Sequence, residues 1–209
     1  MVIMNRFISF EGIDGSGKTT QIELLKNRLS MEGEKVVTFR EPGGTKVSEA
    51  IREILLSKHN SRLTDTAEAL LFFASRNQLL EEKIIPFCDR GYFVICDRFN
   101  DSTIAYQGYG KHSSIKDLNY IANYSIDNFI PELTFFLDIS VDLSIERRKS
   151  EESDRIESKG RDYLESVRTG FIKIADKNPN RFIVVNGSNN EQDVFEKIWR
   201  IVSDKYKIN

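Results

Sequence analysis

The stretch GIDGSGKTT, residues 12–20, follows an apolar run, RFISFE, and precedes a segment with Ile22, Leu25 and Leu29 at spacings of three and four. It fits the pattern G-x-x-x-x-G-K-[ST], with Gly12, Gly17, Lys18 and Thr19 on the required positions. Such a loop works only between a strand and a helix. Glycines let the backbone approach phosphates, and N–H groups at the helix N-terminus point at the oxygens. The expected nucleoside triphosphate site is therefore Gly12, Ile13, Asp14, Gly15, Ser16, Gly17, Lys18, Thr19 and Thr20. Lys18 should reach the β- and γ-phosphates, and the Thr19 hydroxyl should ligate Mg²⁺. The motif leaves open whether the terminal phosphate goes to water, a protein or a small acceptor.

The rest of the chain repeats this strand–helix alternation. The runs KVVTFR (35–40), YFVICD (92–97), LTFFLDI (133–139) and RFIVVN (181–186) are rich in Val, Ile and Phe on consecutive positions, as strands buried on both faces should be. Helices are expected over 18–31, over 65–87 with Asp65 and Glu68 as a capping box, and over 193–206. The pattern predicts one α/β domain with a five-stranded parallel sheet flanked by helices. At 209 residues, 40% apolar, with 12 Gly and 4 Pro, the chain suits a single globular domain.

A net charge of −2 argues against a nucleic-acid partner, so the basic residues that matter must be few and local. Cys88 and Cys96 lie outside any metal-type spacing, and a disulfide framework is excluded. His59 and His112 occupy polar contexts and read as surface residues. No apolar run reaches membrane length and the N-terminus lacks a signal layout, so a cytoplasmic protein is expected.

The run VICDR ends a strand with Asp97 beside the phosphate loop, where a carboxylate can hold Mg²⁺ directly or through water. Adjacent Arg98 makes an anion site of that strand end. No N-K-x-D segment is present to read guanine, and no histidine or extra acid is placed as a general base. A hydroxyl or water acceptor would need such a base, whereas an anionic phosphate would not. These absences point toward a nucleotide acceptor. One compositional break, RRKSEESDRIESKGRD (147–162), reads either as a solvated helix end or as a lid that brings cations onto phosphate.

Three further stretches, REPGGT (40–45), LLFFASR (70–76) and DRFNDSTIAYQG (97–108), closely resemble the thymidylate kinase family when taken with EGIDGSGKTT. PELTFFLDIS and SDRIE fit as well, and the likeness runs in order over nearly the whole chain. The resemblance implies phosphorylation of dTMP to dTDP by ATP–Mg²⁺, direct in-line transfer and a homodimer. The helix over 65–87 is a candidate for the dimer interface.

On the matching positions, the resemblance implies that Phe72 stacks on thymine, Arg76 reaches its O4 and Thr103 touches its edge. Phe72 and Arg76, four apart on a helix, share a face, while Phe73 is the better core residue. Tyr106 would pack under the sugar and exclude a 2′-OH, and Gln107 would support the base or the phosphate side. Arg40, Arg52 and Arg98 would hold the acceptor phosphate. In SEAIREILL, Ile51, Ile54 and Leu55 can face the core and leave Arg52 outside. Asp14 falls where the family has an acid near the sugar 3′-OH and the reacting phosphates.

No variable position of the phosphate loop is basic, so the resemblance places the transition-state cation in the lid. Arg148 and Arg155 are the leading residues there, with Arg147 and Lys149 behind them. The chain departs from the family in reading YGKHSS at 109–114, where a Gly-Arg-Gly run is frequent.

Overall fold

A computed structural model describes residues 6–149, 155, 156 and 159–208. In chain order its elements are β1 (Phe7–Glu11), α1 (Lys18–Met31), β2 (Val36–Arg40), α2 (Lys46–Leu56), α3 (Asp65–Leu79), α4 (Ile85–Asp89) and β3 (Phe93–Asp97). Then follow α5 (Asn100–Thr103), α6 (Ile115–Ile126), β4 (Leu133–Asp138), α7 (Val141–Arg147), α8 (Arg161–Lys177), β5 (Phe182–Asn186) and α9 (Glu191–Tyr206). The five strands are all parallel, in the order β2-β3-β1-β4-β5.

Alternation along the inner strands splits the core between the two sheet faces. Ile8, Phe10, Ile95, Phe135 and Leu137 meet Leu25 and Leu29 of α1 and Ile198 and Val202 of α9. On the other side, Phe7, Val94 and Cys96 pack under Leu79, Leu80 and Ile84, while Phe136 packs with Phe171 of α8. The expectation of strands buried on both faces holds for β1, β3 and β4. It fails at the edges: β2 is half-buried from Val36 to Phe39 and exposed at Arg40, and Val184 of β5 is exposed, because an edge strand is covered less completely than an inner one.

The expected capping box on α3 does not form. Thr64 caps the helix by accepting the Ala67 N–H, and Glu68 turns into the protein. The helix expected over 65–87 is α3 and α4 joined by a π-helical turn, Leu80–Ile84. Pro86, on the second position of α4, lacks an N–H and crowds the preceding turn, which gives the ladder a reason to shift there. A second π-helical turn, Ile104–Tyr109, continues α5 and carries Tyr106 and Gln107.

The register aligns Asp97 with Phe10 of β1 and with Arg40 of β2, so the C-terminal ends of three strands form one edge. The phosphate loop and the turns holding Glu41 and Arg98 start from that edge. This is where ligands bind in open parallel sheets.

Candidate active site

The loop from Gly12 to Gly17 leaves β1 and enters α1. A Cβ on Gly12 would lie 2.8 Å from the Leu137 carbonyl oxygen, so the first glycine is needed for packing against β4. Gly17 stands at φ +92° as the residue before α1, a left-handed conformation that glycine adopts without steric cost. Lys18 is 7% exposed and its Nζ donates to the carbonyls of Gly12 (3.2 Å) and Ile13 (3.4 Å). Burial, then the nearby Arg98 charge, pull its pKa below the usual lysine value. Ile13 buries its side chain in the core and offers only backbone to the site. Ser16 Oγ is buried without a protein partner, whereas Thr20 is exposed.

A cleft of about 490 Å³ opens beside this loop. Asp14, Gly15, Gly17, Lys18 and Thr19 form one wall. Arg40, Arg52 and Arg98 stand around the rest of the rim. Arg40 and Arg52 arrive from different elements and both donate to the Pro42 carbonyl, at 3.3 and 2.8 Å. Arg98 reaches the Gly12 carbonyl at 2.8 Å and Asp14 Oδ1 at 2.6 Å. It sits at φ +69°, an unusual conformation for a residue with a side chain. Of Ile51, Ile54 and Leu55, expected to face the core from α2, only Leu55 is fully buried; Ile51 is half-buried and Ile54 is exposed, a correction.

The third wall carries Phe72, Arg76, Thr103, Tyr106 and Gln107. Phe73 is in the core, as the sequence predicts, and Phe72 remains half-buried at the cleft. Arg76 is only 1% exposed. Its Nε donates to Glu41 Oε2 at 2.7 Å, and its Nη2 to Thr103 Oγ1 at 3.0 Å and to the Phe99 carbonyl at 3.1 Å. Its Nη1 is buried and has no protein partner. Arg76 is thus both paired with a carboxylate and left with a donor to spare in a residue that lines the cleft. Burial pushes the Glu41 carboxyl up to about 7, against the Arg76 charge. Tyr106 is packed under Arg98, whose guanidinium carbon lies 5.0 Å from the ring centroid.

The lid candidates divide. Arg147 is on the cleft wall and donates to the Gly15 carbonyl at 3.0 Å and the Gly187 carbonyl at 3.3 Å. Arg148 directs its Nε at the Ser144 carbonyl (3.4 Å), and its Cγ lies beside Gly15. Arg155 does not reach the cleft wall. Its Nε donates to the Leu55 carbonyl at 2.8 Å, and its Nη2 lies 2.6 Å from the fully buried Glu68 Oε2. Residues 150–154, 157 and 158 of the expected lid lie outside the described residues. Of the rest of that segment, Ile156 contributes to the cleft.

Sequence reasoning missed Glu41, Glu11, Ser102 and the role of Glu68. A carboxylate ending an otherwise apolar strand was the available signal for Glu11. Glu68 accepts from Gln107 Nε2 at 3.0 Å and pairs with Lys111 at 2.6 Å. Lys111 belongs to YGKHSS, so the segment that departs from the family's Gly-Arg-Gly run still sets a cation on a buried acid.

Asp97 Oδ1 is buried without a protein partner, and Asp97 and Thr19 both line the cleft. Among the described residues no group of three or more His, Cys, Asp or Glu could hold a metal by itself. A hard cation here would complete its shell with nucleotide phosphates and water, which is how Mg²⁺ is usually held.

A loop that only handed a phosphate to water would have no use for three guanidiniums on the rim of the same cleft. The arrangement defines the P-loop nucleotide-kinase class, in which one polyanion is set against another. Comparison with known proteins narrows the class: the thymidylate kinase family model matches residues 10–198. The chain belongs to the thymidylate kinase family. It is 48% identical over 197 residues to the thymidylate kinase of Thermosipho melanesiensis, covering 94% of this chain and 96% of that one. It is 43% identical over 204 residues to that of a Sulfurihydrogenibium species, covering 98% of each. The crystal structure of thymidylate kinase from Ehrlichia chaffeensis superposes with a TM-score of 0.77 at 36% identity, covering 94% of this chain and 97% of that one.

Proposed function

We propose that this protein transfers the γ-phosphoryl group of ATP to dTMP, giving dTDP and ADP on the way to dTTP. One observation carries this reading: a phosphate loop shares its cleft with three rim guanidiniums and with Phe72 beside a spare Arg76 donor. ATP phosphates would take the place of the Gly12 and Ile13 carbonyls as partners of Lys18. The dTMP phosphate would draw Arg40 and Arg52 off the Pro42 carbonyl, and Arg98 would lie between the two phosphates.

Thymine would lie on Phe72 with a carbonyl at Arg76 Nη1 and an edge at Thr103. Tyr106 would leave no room for a 2′-OH. Gln107, held by Glu68, supports that wall, and Asp14 would orient Arg98 near the sugar 3′-OH. Transfer is direct, since a phosphate acceptor is already anionic and needs no general base. Thr19 and Asp97 would hold Mg²⁺, which neutralises charge on the β- and γ-phosphates when bound.

Arg147 is the cation best placed to follow the migrating charge. Arg148 is adjacent, and Arg155 would first have to leave Glu68. The segment 147–162 acts as the lid, excluding water from the transfer. Leu70 of α3 and Tyr120 and Tyr124 of α6 leave large apolar side chains exposed on adjoining helices. A homodimer through this face fits that exposure. Both cysteines are free thiols, as in a cytoplasmic enzyme, and no helix among the described residues is long and apolar enough to cross a membrane.

A coupled assay with ATP–Mg²⁺ and dTMP, dUMP, dCMP, dGMP, AMP and UMP tests the reading. The expected result is strong preference for dTMP, with dUMP poor but not excluded, because a missing methyl is discriminated weakly. Faster turnover of any other monophosphate would overturn it.

A further inference from the structure

Glu11 is the last residue of β1, directly before the phosphate loop, and it is fully buried. Burying a carboxylate is costly, and an apolar residue at a strand end would satisfy packing alone. Its two oxygens are both used. Oε1 accepts the Phe99 N–H at 2.7 Å and Oε2 accepts the Ser102 hydroxyl at 2.5 Å. Ser102 Oγ in turn accepts from Arg98 Nη1 at 3.2 Å, the same nitrogen that donates to the Gly12 carbonyl.

The backbone on either side of this contact is also fixed from β1. Arg98 N–H donates to the Phe10 carbonyl at 2.9 Å, and Phe99 N–H to Glu11. Two consecutive residues of β1 therefore grip two consecutive residues of the turn that holds Arg98 at φ +69°. Left-handed backbone at a residue with a side chain is strained and persists only where the surroundings over-determine it. Glu11 supplies part of that determination through the backbone and, through Ser102, reaches the guanidinium itself.

The geometry points to Glu11 as a positioning residue for phosphoryl transfer, acting through Ser102 and the Phe99 N–H to hold the Arg98 guanidinium over the phosphate loop. The inference rests on the reading above that Arg98 lies between the two phosphates. Glu11 is not on the cleft lining. Its contribution is to fix the direction of a charge that must already be in place when the phosphoryl group moves. Burial pushes the Glu11 carboxyl up to about 8, against the Arg98 charge and the Ser102 and Phe99 hydrogen bonds. In the geometry present its two oxygens accept an O–H and an N–H, whereas a glutamine would present a donor to one of them.

The test is steady-state kinetics on Glu11→Gln, Ser102→Ala, Arg98→Ala and the double variant Glu11→Gln/Arg98→Ala, with KM for ATP and dTMP measured separately from kcat. Arg98→Ala should lower kcat by about a thousand-fold, as for a group that stabilises transition-state charge. Glu11→Gln should lower kcat by about ten- to thirty-fold and leave KM for ATP within about twofold, because it misdirects Arg98 without removing it. Ser102→Ala should cost kcat about three- to ten-fold in the same sense, since one link of the chain remains. In the Arg98→Ala background, Glu11→Gln should change kcat by less than about twofold, the signature of two residues acting as a unit.

Losses that multiply in full in the double variant would overturn the proposal, because Glu11 would then act independently of Arg98. Unchanged kcat in Glu11→Gln alongside a large loss in Arg98→Ala would also overturn it, while leaving the Arg98 reading intact. Unchanged kcat in Arg98→Ala would remove that reading first. Should Glu11→Gln fail to fold, Ser102→Ala carries the test with the Glu11–Phe99 contact preserved, and wild-type kcat in that variant would count against the proposal.

Discussion

The two ends of the cleft hold their cations differently. At the phosphate loop, Lys18 is 7% exposed and is tied to the Gly12 and Ile13 carbonyls, and Arg98 shares the Gly12 carbonyl with it. At the mouth, Arg40 has half its side chain in water and leans on Glu49 Oε2 at 3.2 Å. Both ends pair with a carboxylate, Asp14 at the loop and Glu49 at the mouth, so the difference is burial. A buried cation aimed by carbonyls is preorganised, whereas a half-solvated one must also be drawn from water. This contrast fits the proposed roles, in which the loop end acts on the transition state and the mouth captures and releases dTMP.

Substitution should separate the two ends. Lys18→Ala should produce the largest effect, a fall in kcat of about a thousand-fold or more, since the lost charge acts where charge develops. A change confined to KM for ATP would erase the distinction. Arg147→Ala should follow, lowering kcat by about a hundred-fold with dTMP affinity nearly kept, and should exceed Arg148→Ala and Arg155→Ala. Kinetics that rank Arg155 first would mean that its Glu68 contact is released in the working enzyme. Arg40→Ala should act on capture, raising KM for dTMP by about ten-fold while kcat falls less than threefold. Equal losses in both constants would make the mouth part of the transition-state machinery.

The smallest effect concerns stability. Burial raises the Glu41 carboxyl from 4.5 to about 7, so the folded state binds that proton more tightly than the unfolded chain. The stabilisation is complete below about 4.5 and is lost as pH rises through about 7. Glu41→Gln should therefore show a smaller fall in Tm between pH 5 and pH 8 than the wild type, measured by calorimetry. An equal fall in both would assign the slope to other groups.

Much of the fold was legible because its signals are local. Apolar runs of strand length and helical spacings of three and four report their own periodicity, and the five strands appear where those runs lie. The edge exposure of β2 and β5 was not legible, since strand order is not written in any single strand. Site residues in recognisable segments could be named, and most of them line one cleft. Arg155 shows where naming stops. Its position in a charged segment is local information, but its partner, Glu68, is 87 residues away in sequence and had the spacing of a helix cap.

By itself the sequence determined the phosphate loop, the strand–helix alternation and the residue types gathered for an anionic acceptor, because each depends on neighbours within a few positions. Tertiary structure alone decided which of those residues point at one another. It joined Glu41 to Arg76 across 35 positions and Glu11 to Ser102 across 91. It also set Arg147, not Arg155, on the cleft wall. A buried hydrogen bond depends on where separate segments are packed, and that is fixed only when the sheet has assembled.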